Sequence, residues 1–216
     1  MSKISILHPS YKRPKLGVST MFNWLSRADN PQDIEYILCL HEKDHTVTEY
    51  ASEMLKHDNL QNVKVIYSQE ANMVKQVNLA AKESTGNLLI NVSDDFDCPQ
   101  SWDSLLLKEL EGKEDYVVKT QDGIQKEIIT LPILDRRYYE RFNFIYAPEF
   151  SHFYGDQELR EVGDILGKTI VLDLMFEHIH YIAGKAPKDE VNDKNNAHFE
   201  EDKKTYFKRK ARKFDL

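Results

Sequence analysis

Residues 72–99 read NMVKQVNLAAKESTGNLLINVSDDFDCP. Val74, Val77, Ala80 and Ala81 recur at helical spacing, which predicts a helix over residues 72–83 with one apolar face. Ser84-Thr85-Gly86 closes it, glycine being the usual helix terminator. Residues 87–92 (NLLINV) form the short apolar run of a buried strand. Three carboxylates, Asp94, Asp95 and Asp97, follow at the strand's carboxyl end.

The same alternation extends outward. Strands are predicted at 3–8, 34–40 and 63–67, with helices at 19–28 and 49–56. Alternating strands and helices imply an α/β fold: a mostly parallel sheet with helices on both faces. Beyond residue 100 the pattern is less regular. Strands are predicted at 116–119, 127–131, 169–174 and 177–181. Helices are predicted at 135–141, 156–166 (ending at Gly167) and 200–212. Residues 185–196 read as a polar loop.

In such sheets ligands bind outside the carboxyl ends of the strands. Residues 9–14, 41–46, 68–72 and 93–99 all occupy that position. The last is the sharpest. Carboxylates crowded at the end of a buried strand repel one another, and a cation between them relieves the repulsion. Asp95 and Asp97 can both reach one Mg²⁺ or Mn²⁺ from a turn, and such ions keep substrate phosphates in their shell. The same string also suits a solvated acidic turn or a helix N-cap. His178 and His180 share a face if residues 177–181 form a strand, where they serve a metal or are simply exposed. Their surroundings lack zinc-ligand spacing. Asp156 reads as the N-cap of its helix or as a general base at the helix start. Lys12 and Arg13 suit phosphate oxygens, or are ordinary surface charges; no GxxxxGK[ST] loop is present. Residues 203–213 (KKTYFKRKARK) hold seven basic residues interleaved with aromatics. Such an end docks on nucleic acid, an acidic partner or anionic lipid, or is a solvated helix packed through its aromatics.

The 216 residues carry 29 Lys+Arg against 36 Asp+Glu, a formal charge of −7. That balance argues against a general nucleic-acid binder. No apolar run approaches the ~18 residues of a membrane span. Two cysteines, Cys39 and Cys98, read as reduced thiols of a cytoplasmic protein; the expected location is bacterial cytoplasm or that of a virus-infected host.

The order of these features resembles family 2 glycosyltransferases of the GT-A fold. Pro9-Ser-Tyr-Lys-Arg-Pro14 is similar to their opening P-[ST]-x-x-R-P. Residues 78–97 resemble their helix, glycine, strand and DxD sequence. Residues 131–139 (LPILDRRYY) look like the acceptor-side segment. Gly155-Asp-Gln-Glu-Leu159 looks like the block holding the base, and His178-Ile-His-Tyr181 like the late histidine motif. The resemblance implies a single GT-A-like domain over 1–216: a nucleotide-sugar half (1–99), an acceptor half (100–184), and a polar loop with a basic helix (185–216). It implies inverting transfer of a hexosyl or pentosyl group from a nucleotide-diphospho-sugar, UDP-linked as first choice, with Mn²⁺ or Mg²⁺ as cofactor. Asp95, Asp97 and His180, or His178 in its place, would hold the ion. Asp156 would deprotonate the acceptor, with Glu158 as rival. Pro9, Ser10, Tyr11, Arg13, Lys75, Asn78, Asp94 and Asp95 would bind the donor. His41 stands where the family usually has an Asp on the base, leaving Glu42 or Asp44 for that contact. The acceptor hydroxyl would belong to a glycan or to a hydroxylated base in viral DNA. A noncatalytic nucleotide-sugar-binding module and a metal-dependent phosphohydrolase are the alternatives.

Overall fold

The computed structural model describes residues 3–58, 60–70 and 72–216. Residue 71 of the 68–72 segment, and residues 1, 2 and 59 of the expected domain span, lie outside them. The first half runs β1 (Ile4–Pro9), α1 (Pro14–Ser26), β2 (Ile34–His41), α2 (Val47–Met54), β3 (Val63–Ser68), α3 (Met73–Lys82) and β4 (Leu88–Asn91). Then come β5 (Phe96–Asp97), α4 (Trp102–Glu109), β6 (Val117–Gln121), β7 (Ile133–Asp135) and α5 (Arg136–Phe142). The chain continues with α6 (Gly155–Ile165), β8 (Thr169–Met175), β9 (Glu177–His178), α7 (Glu190–Asn196) and α8 (Phe199–Ala211).

Seven strands form one sheet in the order β3-β2-β1-β4-β7-β6-β8, and β5 pairs with β9 apart from it. β1, β2, β3 and β4 are mutually parallel. β7 is antiparallel to both β4 and β6, so β6 again runs with β1, and β8 runs parallel to β6. The carboxyl ends of six strands therefore share one edge of the sheet.

Alternation along the strands divides the core in two. Ile4, Ile6, Tyr36, Leu38 and Ile90 pack with Val18, Met21 and Trp24 of α1, Tyr50 of α2 and Trp102 of α4. Leu7, Ile37, Cys39 and Leu89 pack with α3, α5, α6 and Tyr206 of α8. This is the two-faced sheet that period-two alternation predicts. The Trp24 indole donates to the Phe96 carbonyl (3.0 Å), and Trp102 donates to the Trp24 carbonyl (2.7 Å). Those bonds pin the start of β5, and with it the acidic loop, to the first core.

Several expectations need correction. Residues 127–131 are not a strand. Asp122 accepts the amides of Ile124 (2.7 Å) and Gln125 (2.6 Å) and the Thr130 hydroxyl (2.7 Å), curling the segment, and the strand forms later as β7. The strand at 177–181 stops after His178, opposite Phe96, the first residue of its antiparallel partner β5. Residues 185–196 contain α7, started by a capping box in which Asp189 and Asn192 satisfy each other's backbone amides. Gly86 is not a helix terminator. α3 stops at Lys82, and a Cβ at Gly86 would lie 2.7 Å from the Ser5 nitrogen. The glycine is needed for close approach to β1, whose Ser5 hydroxyl accepts its amide at 2.8 Å.

Candidate active site

A cleft of about 450 Å³ opens at the shared carboxyl edge, and Pro9, Asp95, Tyr146, Asp156, His178 and His180 are among its walls. Its centre is built by the small sheet. β5 and β9 pair Phe96 with His178, their rings stack at 4.3 Å, and the Asp95 carbonyl accepts the Ile179 amide at 2.7 Å. The loop after β4 and the histidine segment after β8 are thereby held together. Ligand atoms of Asp95, His178 and His180 all lie within 4.8 Å of one another. Strand alternation is not what gathers the two histidines. The chain turns after His178, yet the rings stay 4.8 Å apart.

The electrostatics follow from the packing. Burial alone would raise the Asp95 carboxyl, but His178 Nε2 at 3.3 Å and the Ser93 hydroxyl at 2.7 Å outweigh it and hold it at about 2. Burial likewise pulls His178 down, but Asp122 and Asp95 more than offset it and push the imidazole up to about 9. His178 Nδ1 has no hydrogen bond among the described residues. It faces Asp122 Oδ2 at 3.9 Å, so that attraction is coulombic rather than a bond. Asp122 is itself held well below the ordinary carboxylate range; burial opposes this, and His178, two amides and a hydroxyl overcome it. A carboxylate behind a metal-ligating histidine is a usual supporting partner.

Asp97 is not among these groups. Both its oxygens lie 3.0 Å from an Arg27 nitrogen, and Asn23 donates to it from the α1 side. Asp156 lines the cleft but does not cap α6. Tyr154 is the N-cap, at φ +66°, and α6 begins at Gly155. A side chain at Gly155 would lie 2.7 Å from the Tyr146 ring, so the glycine lets the helix start close against the cleft wall. Burial pushes the Asp156 carboxyl up to about 6, against the pull of the Gln157 amide (2.8 Å). Glu158, two residues on, points away. It is buried against Arg209 of α8, whose Nε reaches both its oxygens at 3.0 and 2.9 Å.

The expected donor-side residues divide similarly. Pro9 and Arg13 line the cleft. Ser10 and Asp94 are buried against each other at 2.6 Å, and Asp94 also meets His8 Nε2 at 2.9 Å. Ser10 further bonds the Tyr50 hydroxyl at 2.6 Å. This network ties the loops after β1 and β4 together. Asp44 is a loop clamp too, accepting the Lys12 amide (2.7 Å) and the Thr46 amide and hydroxyl (2.9 Å each). Glu42 is exposed. Lys75 sits 3.7 Å from Glu70, outside the cleft wall. Asn78 accepts the amides of Ile145 and Tyr146 and donates to the Tyr146 carbonyl, so it positions Tyr146.

α7 packs against the loop after β1. Asp189 grips Arg13 in a bidentate pair (2.7 and 2.7 Å), and Lys194 of α7 lies 4.1 Å from the Tyr11 ring centroid. His152 lines the cleft, and its buried Nδ1 has no hydrogen-bond partner among the described residues. Burial pulls its ring down to about 4, so it is neutral near pH 7. Sequence reasoning missed Asp122, His152 and Asp189. Asp122 alone carried a signal: it follows a strand whose carboxyl end lies on the ligand edge.

No protein-family model matches the sequence, and no curated protein matches it. Solved structures do. The mannosyltransferase PcManGT from Pyrobaculum calidifontis, in complex with GDP-Man and Mn²⁺, superposes with a TM-score of 0.69 at 13% identity, over 87% of this chain and 58% of its own. S. aureus TarS superposes with a TM-score of 0.64 at 15% identity, over 82% of this chain and 36% of its own. TarS 1-349 in complex with UDP-GlcNAc gives 0.62 at 15%, over 81% and 57%. This chain thus spans between about a third and three-fifths of those proteins. The likeness is one of fold, and the fold is GT-A.

Proposed function

We propose that the chain is a metal-assisted inverting glycosyltransferase acting on a nucleotide-diphospho-sugar, with UDP-linked donors as first choice. One observation carries the reading. A carboxylate and two imidazoles converge at the ligand edge of a GT-A sheet, in the same cleft as a carboxyl group poised at about 6. The solved neighbours bound to GDP-Man with Mn²⁺ and to UDP-GlcNAc support the donor class.

Asp95, His178 and His180 form a donor set of one oxygen and two nitrogens. That chemistry fits Mn²⁺ better than Mg²⁺, which prefers oxygen throughout. When bound, such an ion supplies positive charge to the departing diphosphate. Asp122 holds His178 facing Asp95. Asp156 accepts the proton of the acceptor hydroxyl as its oxygen attacks the anomeric carbon, and the bond to the diphosphate breaks on the opposite face. Its elevated pKa makes it a stronger base than an ordinary carboxylate, while it stays mostly ionised near pH 7. The acceptor hydroxyl belongs to a glycan or to a hydroxylated nucleic-acid base.

The test is calorimetry of UDP, GDP, UDP-sugars and GDP-mannose, with and without Mn²⁺. The expected result is one nucleotide whose binding requires the ion and is lost in Asp95→Asn. Absence of ion-dependent binding across the panel overturns the reading.

A further inference from the structure

The C-terminal helix has a face that nothing in the proposed reaction uses. At 100° per residue, α8 turns Asp202, Tyr206 and Arg209 inward, and all three are buried. Asp202 accepts the amides of Ser151, His152 and Phe153 at 2.8–2.9 Å. Tyr206 bonds Gln157 and Glu161, and Arg209 bonds Glu158 and Glu149. The helix is therefore fixed rigidly to α6. Lys203, Lys204, Phe207, Lys208 and Ala211 fall within an outward arc of roughly 140°, with exposed Glu200 at its N-terminal end. Phe207 is 56% exposed, and Lys204, Lys208 and Ala211 are exposed around it. Among the described residues, none forms an ion pair within 4.0 Å with Lys203, Lys204, Lys208 or Lys213, although the chain as a whole is acidic at −7. The face thus presents positive charge around one exposed aromatic ring. An anionic lipid surface satisfies both, taking the ring into the headgroup layer and the lysines onto phosphates.

We propose that the outward face of α8 docks the protein on an anionic bilayer, as a peripheral contact that does not span it. A nucleic-acid backbone accounts for less of this face. The basic stretch from Lys203 to Lys213 is only about 15 Å long and meets few backbone phosphates, whereas a headgroup layer takes a single exposed ring without needing an unstacked base to receive it. α8 also starts at the cleft, since Phe199 lines it. A bilayer under α8 therefore lies beside the cleft mouth, where a lipid-borne hydroxyl can reach Asp156. That last step rests on the transferase reading; the docking itself does not.

The experiment is co-flotation of the full chain with vesicles of pure phosphatidylcholine, or with 30% phosphatidylglycerol. We expect binding only to the anionic vesicles, weakening as salt is raised from 50 to 300 mM. Each lysine near the surface contributes about fivefold, so Lys204→Gln/Lys208→Gln should bind about 25-fold more weakly. Phe207→Ser should weaken the binding that survives in high salt. All of these side chains are exposed, so unchanged circular dichroism is expected of each variant. Failure to float with anionic vesicles, equal binding to neutral ones, or indifference to Lys204 and Lys208 overturns the proposal. So does lysine-dependent binding to an oligonucleotide without vesicle binding. Nucleotide binding in calorimetry is expected to be the same in all these variants, so the two proposals fail separately.

Discussion

The loop after β4 and the first turn of α6 pose the same problem and solve it the same way. Each carries carboxylates two residues apart, Asp95 with Asp97 and Asp156 with Glu158. In each, one carboxylate faces the cleft and the other is taken by an arginine. Asp97 goes to Arg27, 70 residues away, and Glu158 to Arg209, 51 residues away. Spacing in the sequence marks where charge is concentrated. It does not say which member of a pair is structural, because the neutralising arginine is assigned by the fold.

This division of labour can be broken most decisively at α6. Asp156→Asn should lower kcat by about 10²–10⁴-fold and leave donor binding intact in calorimetry. Glu158→Gln should do the reverse. It removes the buried charge-assisted bonds to Arg209 while Glu149 at 2.7 Å keeps the guanidinium paired, which costs about 1.5 kcal/mol in urea unfolding, with activity of the folded fraction kept. If Glu158→Gln abolishes turnover without loss of stability, the assignment at α6 is reversed.

At the β4 loop the contrast is in metal affinity. Asp95→Asn should remove Mn²⁺ binding, and Asp122→Asn, acting behind His178, should weaken it about 10–100-fold. Asp97→Asn should leave it unchanged and cost less than about 1 kcal/mol, as its pair with Arg27 is partly exposed. Equal losses from Asp95→Asn and Asp97→Asn, measured by Mn²⁺ titration, would mean that the loop rearranges around the ion.

The pH profile sharpens the α6 side. With Asp156 at about 6 rather than the ordinary 3.8, kcat should fall as pH drops through 6. The stability effect has the opposite sense. A carboxyl raised in the folded state stabilises it fully below pH 3.8, and that contribution is lost as pH rises through about 6. Asp156→Asn should therefore be no less stable than the parent above pH 6. A kcat flat down to pH 4.5 would remove Asp156 from the role of base.

The first half of the chain was legible because its signals are local. β1 to β4 and α1 to α3 alternate at lengths that period and punctuation reveal, and the carboxyl-end rule then points to Asp95 and Arg13. The second half is written in long-range contacts. Asp122 curls residues 124–130 through its own side chain, which defeats a strand reading of EIITL at 127–131. Asp202 shapes residues 151–153 from 49 to 51 residues away. α7 is nucleated by a capping box inside a stretch whose composition says loop. His152 and Asp189 gain their places only through these contacts, so no local pattern announced them.

Asp189 gives the smallest expected effect and the most specific one. Its carboxylate holds Arg13 in the planar, two-bond geometry that a donor phosphate would use, so the two anions compete for one guanidinium. Asparagine is as good an N-cap as aspartate, so Asp189→Asn keeps the start of α7 while removing the competing charge. The pair is partly exposed, which limits the gain. UDP or GDP binding in Mn²⁺ should tighten by about two- to fivefold, with most of the change lost at high salt. Tightening that persists in Arg13→Gln would show that Asp189 acts through the charge of the whole cleft rather than through Arg13. Weaker binding in Asp189→Asn would show that the pair belongs to the donor-bound state and that α7 closes the site instead of obstructing it.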